Sequence, residues 1–489
     1  MRNSICLSLF LAASAIAGAT PNFTEHVAPI VFNNCASCHR AGEAGPFTLT
    51  SYRDVAKRGP FIAAVTQSRF MPPWHASPGE VEFEGSRRLT DEQIATIQAW
   101  VEGGMPEGDP ANTPALPKFA KGWQGGEPDA VVEMTESFRV PPDGPDLYRY
   151  FVLDLPLDED KWVSAIEFQP GSRATSHHVL GFLMDGDDLE ADSTGKKYKS
   201  VPGRNDRNRV ISWAIGSNPR VFPKDVAIRF KKGQKLVLQT HFHPSGKEEF
   251  DRSRIGLHFA EVENPRQYVE VLIPPGFGDS SGIAVPPGTD RYSLRESFIL
   301  PVDVKAFSAF SHAHYLGKEF HLTAHLPGGE SRTLLLIDDY DFAWQELYNF
   351  TDYVELPAGT RLESYVRWDN RAENPNNPYS PPQEIRWGPF SDDEMGSNTL
   401  DVVTVNPEDE PKLRAALKEH GTLSDANFYL SSLDTDFKPK KSVARRGREA
   451  LERFDEDGNG KLSPAERAAA RAFLASKGFD EGAARQPSD

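Results

Sequence analysis

The sequence predicts a multidomain chain: a small all-α domain, two β-sandwich domains of jelly-roll size, and a short α-helical tail. Three observations carry this. Helical patterning runs to about Pro110; short alternating strands broken by Pro, Gly, Asn and Asp turns then extend from roughly Asp129 to Thr404; helical composition returns after about Glu408. The β region of about 275 residues is long enough for two sandwiches.

At 489 residues the chain exceeds a single ordinary core, and three or four units are expected. The composition, 38% hydrophobic and 26% charged with frequent Gly and Pro, is that of a globular protein rich in turns. The opening MRNSICLSLFLAASAIAGAT sets Arg2 before an apolar run and ends in Ala17-Gly18-Ala19. This is the pattern of a cleaved signal peptide (1–19), so the mature chain is expected to begin near Thr20 and to be periplasmic or secreted. Cys6 lies too early for a lipoprotein cleavage box. No later stretch approaches the roughly 18 consecutive apolar residues of a membrane span. The net charge of -17 argues against nucleic acid as a partner.

The expected small domain covers 20–110. In it, LTDEQIATIQAWVEGG reads as a helix started at Thr90, with Glu92 and Gln93 following and Ile94, Ile97 and Trp100 as its apolar stripe. The Pro- and Gly-dense segment 111–128 reads as a linker. The two sandwiches are expected over 129–270 and 271–408, with strands such as QKLVLQTHFH, RYFVLDLPL and SRTLLLIDD. A helical connector (409–440), a helix-loop-helix (441–480) and a disordered tail (481–489) complete the expected order.

Cys35-Ala36-Ser37-Cys38-His39 has the spacing for covalent haem c: two thiols form thioethers and the adjacent imidazole takes an axial position. The competing readings are a redox dithiol and half a zinc site. A thioredoxin-like βαβ setting and a second cysteine pair are both missing. For the opposite axial position Met71, on the Pro-stiffened loop SRFMPPWH ahead of the last helix, resembles the class I cytochrome c arrangement. Met105 in EGGMPEG is the alternative.

Closely spaced histidines form three groups in the β region: His177-His178, His241 with His243, and His312 with His314. Strand side chains alternate, so an H-x-H pair presents both imidazoles on one face, and imidazole suits copper, zinc and iron. Isolated strand histidines are as readily half-buried packing residues, but three groups in one β region make that a poor account.

An H-H pair, a later single His in LVLQTHF, the run SHAHYLGK and a downstream DEMG resemble, in that order, the copper type II, ascorbate-dependent monooxygenases of the peptidylglycine/dopamine β-hydroxylase kind. The resemblance covers roughly 129–404. It implies a first copper centre at His177, His178 and His241 that passes an electron. It also implies a second at His312, His314 and Met395, where dioxygen and substrate react; a thioether ligand favours Cu(I). His243 lies outside the family's ligand set and is left as an extra ligand, a supporting group or a surface residue. Two departures stand out. Peptide-amidating members carry an Arg two residues before the H-x-H pair, where this chain has Phe310, and the disulfides of animal members are impossible here.

The resemblance implies a small organic substrate and dioxygen, with two electrons per turnover. A fused haem domain suggests that they arrive through the cytochrome from an exported electron donor. The alternatives are a copper protein that stores or relays without oxidising a substrate, and a haem protein whose β region only binds a partner.

Near the C-terminus, DEDGNGKLSPAE matches the EF-hand calcium loop, with Asp455, Asp457, Asn459 and Ser463 as oxygen ligands, Lys461 through its carbonyl, Gly460 at the turn and Glu466 closing. Helical runs flank it, as the motif requires. The expected cofactors are therefore two copper ions, covalent haem c and calcium.

Overall fold

The computed structural model describes residues 20–43, 45–120, 122–185, 209–388, 390–434, 439 and 441–479. The expected signal peptide and the expected disordered tail lie outside the described residues. The chain divides into two compact units, Met1–Pro73 with Arg87–Phe119, and Trp74–Ser86 with Ala120–Asp489.

In the small unit the described helices include Ala28–Asn34, Tyr52–Ala56, Gly59–Gln67 and Asp91–Glu102. Thr90 caps the last of these by a reciprocal box: its hydroxyl accepts from the Gln93 N–H at 3.2 Å, and the Gln93 side chain accepts from the Thr90 N–H at 2.9 Å. Ile94, Ile97 and Trp100 are buried on the helix face that meets Phe23, Val31, Phe32 and Ile62. Burial of each such side chain stabilises by about 1.5–3 kcal/mol, and Trp100→Ala would leave the largest void.

The large unit is mostly β-sheet. One pair of sheets has the strand orders Leu147–Asp154, Lys235–Phe242, Ser176–Met184, Arg209–Ala214 and Ala130–Glu133, Arg254–Phe259, Lys161–Gln169, Arg220–Val221. Their facing side chains, among them Val179, Leu236 and Leu238 against Val163, Ile255 and Leu257, enclose one core. A second pair has the orders Val269–Ile273, Gly396–Thr404, Val304–Ala313, Tyr348–Leu356 and Tyr292–Ile299, Arg361–Trp368, Gly317–His325, Ser331–Ile337, around another core.

Every residue of Gly396–Thr404 is buried. Leu400 and Val402 face the core of their own sheet pair, while Val403 joins Tyr268 and Phe307 in the other core. A strand covered on both faces loses polar alternation, which is why GSNTLDVVT lacks it. Buried ion pairs cross the same junction: Arg209 to Glu270 and Arg220 to Asp401, each at 2.8 Å.

Trp74–Ser86, expected within the small domain, and the segment expected as a linker are both bound into the sheets. In Trp74–Ser86, the Ser77 N–H donates to the Leu336 carbonyl at 2.8 Å and the Glu84 N–H to that of Asn349 at 2.9 Å. Within 111–128, the Gln124 and Gly125 N–H groups both donate to Glu167 at 2.9 Å, because a backbone donor near a buried carboxylate is held more firmly than one in water.

The C-terminal part opens with a 23-residue helix, Glu410–Ser432. Its Leu423, Ala426 and Leu430 pack with Leu451, Ala470 and Leu474 of the helices Lys441–Leu451 and Pro464–Ser476. A single helix-loop-helix thus covers its apolar face with a helix of its own chain. No helix among the described residues is long and apolar enough to cross a membrane.

Candidate metal centre

His178 lies on strand Ser176–Met184 directly opposite His241 on Lys235–Phe242. Adjacent strand residues normally point to opposite faces. Here the register shifts between Ser176 and His178, leaving His177 as an extra residue, and such a bulge re-aims a side chain. The imidazole of His177 accordingly reaches His241, with ring centroids 4.9 Å apart; those of His178 and His241 are 4.7 Å apart. One nitrogen from each of the three rings lies within 4.8 Å of the other two.

The hydrogen bonds sort the nitrogens. Asp146 accepts from His241 Nε2 at 2.7 Å, so the lone pair of His241 is on Nδ1, 3.2 Å from His178 Nδ1. The second oxygen of Asp146 meets Nδ1 of the exposed His243, also at 2.7 Å. Burial pushes the Asp146 carboxyl upward, but the hydrogen bonds from His241 and His243 outweigh it and hold the group down to about 2. Burial lowers His177 to about 4 and drives His178 well below its usual range. Both rings are therefore neutral near pH 7, the form that ligates a metal. His177 Nδ1 is buried without a hydrogen-bond partner, and a polar atom so placed fits a metal ligand. The Tyr148 ring stacks on His241 at 4.4 Å and closes the group.

His312 and His314 project from the end of strand Val304–Ala313, with ring centroids 5.2 Å apart. Burial lowers them to about 3 and about 4. His314 Nδ1 is 3.1 Å from the Asp393 carbonyl and His312 Nδ1 2.5 Å from Gln345 Oε1. Both Nε2 atoms are thus left as lone pairs. Ala313 pairs with Gly396 at the end of the ladder, so His314 follows and Met395 precedes its last rung. A Cβ on Gly396 would run into the Trp368 ring, so glycine is required after Met395.

Glu394 holds this turn together. Its buried carboxylate accepts from the N–H groups of His314 (3.1 Å), Leu316 (2.6 Å) and Met395 (3.2 Å) and from the Trp368 indole (2.9 Å). Burial pushes it up to about 8 against these donors. Phe310 is buried beneath the Arg209 guanidinium, 4.2 Å from its ring centroid.

The Phe342 ring lies between the histidine groups, 5.3 Å from His178 and 5.4 Å from His314. Asp146, Glu394, Phe342 and Gln345 were missed by sequence reasoning. Asp146 sits in a Pro- and Gly-rich turn without periodicity, and Gln345 in an irregular loop; only the acid beside Met395 in DEMG gave a local signal.

In the small unit Cys35 and Cys38 are both half-buried and form no disulfide. The Cys38 and His39 N–H groups both donate to the Cys35 carbonyl, at 3.2 and 2.9 Å, so the motif forms one tight turn. His39 Nδ1 is 3.1 Å from the Phe47 carbonyl, which leaves Nε2 as the outward lone pair. Burial, followed by the neighbouring Cys38, pushes the Cys35 thiol up to about 12. Met71 is half-buried just before Pro72. Met105 packs into the small core, its sulfur occupying the space that a Cβ on Gly59 would need.

In the C-terminal loop, carboxylate oxygens of Asp455, Asp457 and Glu466 lie within 4.8 Å of one another. The Gly460 N–H donates to Asp455 at 2.8 Å and the Lys461 N–H to Asn459 at 2.8 Å. Ser463 and Glu466 form a capping box on helix Pro464–Ser476.

No family model matches the chain. It is 22% identical to DBH-like monooxygenase protein 1 of Mus musculus over 176 residues, 33% of this chain and 29% of that protein. Against the Homo sapiens protein of the same name it is 22% identical over 196 residues, 37% of this chain and 30% of that protein. The match thus spans less than a third of either relative's length. Among solved structures, a Paenibacillus xanthan lyase covers 57% of this chain and 25% of its own at a TM-score of 0.16 and 13% identity, which carries no argument. Over about a third of its length, the chain is similar to DBH-like monooxygenase proteins.

Proposed function

We propose that this chain is an exported copper-dependent monooxygenase that hydroxylates a small organic substrate with dioxygen, its electrons supplied through covalently attached haem c. The observation that supports it most is the pair of histidine groups in which one ring nitrogen is already engaged elsewhere: His241 by Asp146, His314 by the Asp393 carbonyl and His312 by Gln345. His177, His178 and His241 would hold one copper, and His312, His314 and Met395 the other. Bound copper supplies one-electron steps, so that one oxygen atom enters a C–H bond and the other leaves as water, with two electrons and two protons consumed.

The chain's own residues do the rest. Asp146 and the Asp393 carbonyl keep imidazole protons off the ligand nitrogens, and Glu394 fixes the turn that joins His314 to Met395. Phe342 and Tyr148 exclude water from the rings they touch. Phe310, where amidating relatives hold a carboxylate with Arg, argues for a substrate other than a peptide C-terminus.

Cys35, Cys38 and His39, with Met71 opposite, would hold the haem. The His39–Phe47 hydrogen bond fits an axial ligand, and the engagement of Met105 in the core favours Met71. Asp455, Asp457, Asn459, Lys461, Ser463 and Glu466 would hold calcium as a structural brace.

The test is the metal content of the haem-loaded exported protein with oxygen uptake under reducing conditions. About two coppers per haem, falling to about one in His314→Ala, are expected. Haem without copper would overturn the proposal, and two coppers without substrate-dependent oxygen uptake would replace it with a copper relay.

A further inference from the structure

The loop that carries Gln345 is tied down from several sides. Tyr340 exchanges hydrogen bonds with both the N–H and the carbonyl of Ala313, at 3.3 and 3.0 Å, which fixes the loop to the strand bearing His312. The Asp341 N–H donates to His75 at 3.4 Å, and the Ala343 N–H to the Asp341 carboxylate at 2.8 Å. So anchored, the loop places the buried Gln345 carboxamide between two imidazoles of different groups. Its Oε1 is 2.5 Å from His312 Nδ1 and its Nε2 is 3.5 Å from His178 Nε2, with a further contact to the Phe342 carbonyl at 3.2 Å.

A carboxamide has one accepting end and one donating end. An imidazole that ligates through one nitrogen carries its proton on the other and needs an acceptor there. His312 has that acceptor in Gln345 Oε1. His178 does not. Its Nδ1 is the atom facing His241 Nδ1 and hence the atom that would join the first group, yet its Nε2 faces the Gln345 N–H. Ligation by His178 moves its proton to Nε2, where it meets a donor. Relief requires the amide to turn over, and the oxygen is then withdrawn from His312.

We infer that Gln345 is a positioning residue that couples the two histidine groups with opposite sign: one amide orientation prepares His312 for its metal and the other prepares His178. This rests on the copper reading of the two groups. The physical consequence is that filling one group weakens the other. The substitution Gln345→Glu would present a carboxylate oxygen to each ring and remove the conflict.

The experiment is a copper(I) competition titration of the full haem-loaded chain, its His312→Ala and Gln345→Glu variants and the double variant, together with nitrogen-15 chemical shifts of the metal-free protein. In the Gln345 background, His312→Ala frees the amide for His178, and affinity at the remaining group should tighten about tenfold. In the Gln345→Glu background the same change should do nothing. In the metal-free, unmutated protein His312 should carry its proton on Nδ1 and His178 should have a bare Nε2. Unchanged affinity in His312→Ala, or protons on both nitrogens facing Gln345, would overturn the inference. A chain that binds no copper would sink the copper reading instead, and the imidazole tautomers would still decide the role of Gln345.

Discussion

Asp146 accepts a hydrogen bond from His241 Nε2 at 2.7 Å and, through its other oxygen, meets His243 Nδ1 at the same distance. One carboxylate therefore fixes the tautomer of a buried imidazole and links it to an exposed one. Supporting carboxylates of this kind typically govern metal affinity by about 10–100-fold. Asp146→Ala should weaken copper at the first group by that factor, whereas His243→Ala should change it by less than about threefold. Competition against a coloured chelator measures both, and equal losses would mean that His243 is a ligand.

Glu394 satisfies three backbone N–H groups and an indole in a fully buried turn. Glu394→Ala orphans them all, and each buried donor left unpaired costs about 1–3 kcal/mol before the turn relaxes. A loss of at least about 3 kcal/mol in denaturant unfolding is expected, together with lost copper at the second group. Wild-type stability in this variant would show that the turn is held by other contacts.

The ion pair between Arg209 and Glu270 is almost wholly buried at the junction of the two cores. Removing one partner strands a charge, so Glu270→Ala should cost about 3–5 kcal/mol, while Arg209→Met with Glu270→Leu should recover most of it. Chemical denaturation of the three proteins distinguishes a paired charge from simple packing.

Cys35→Ser with Cys38→Ser should abolish haem that survives denaturing electrophoresis, because the thioethers are then gone. Met71→Ala should remove the thioether signature from the visible spectrum, and Met105→Ala should instead lower stability by about 2–5 kcal/mol through lost packing. The reverse pattern would move the axial role to Met105.

For the C-terminal loop, calcium at about a hundred times its dissociation constant should stabilise the helical tail by about 2.7 kcal/mol. Glu466→Gln should erase that gain by removing the closing carboxylate. Thermal unfolding with and without chelator reads the difference, and an unchanged midpoint in the unmutated protein would exclude a calcium brace.

Much of the architecture was legible because it follows from local chemistry. Thr90 and Gln93 start a helix by their own hydrogen bonds, and Ile94, Ile97 and Trp100 recur at helical spacing. The change to short alternating strands after Asp129 marks the β-rich unit, and Asp455, Asp457 and Glu466 gather because one short loop carries them. The spacing of Cys35, Cys38 and His39 is local in the same way: a single turn forms it.

What the tertiary structure decided depends on residues distant in the chain. The bulge at His177 turns two neighbouring imidazoles to one side, and it exists only because strand Lys235–Phe242 imposes the register. Asp146 meets His241 across 95 positions, and Gln345 meets His178 across 167; neither has a periodicity or motif to announce it. Strand Gly396–Thr404 lost its alternation because two cores cover it. By itself, then, the sequence determined which histidines, cysteines and acids this protein carries and which elements present them. Packing determined which nitrogens are free, since a lone pair is left only where a partner from elsewhere in the fold holds the proton at the other end of the ring.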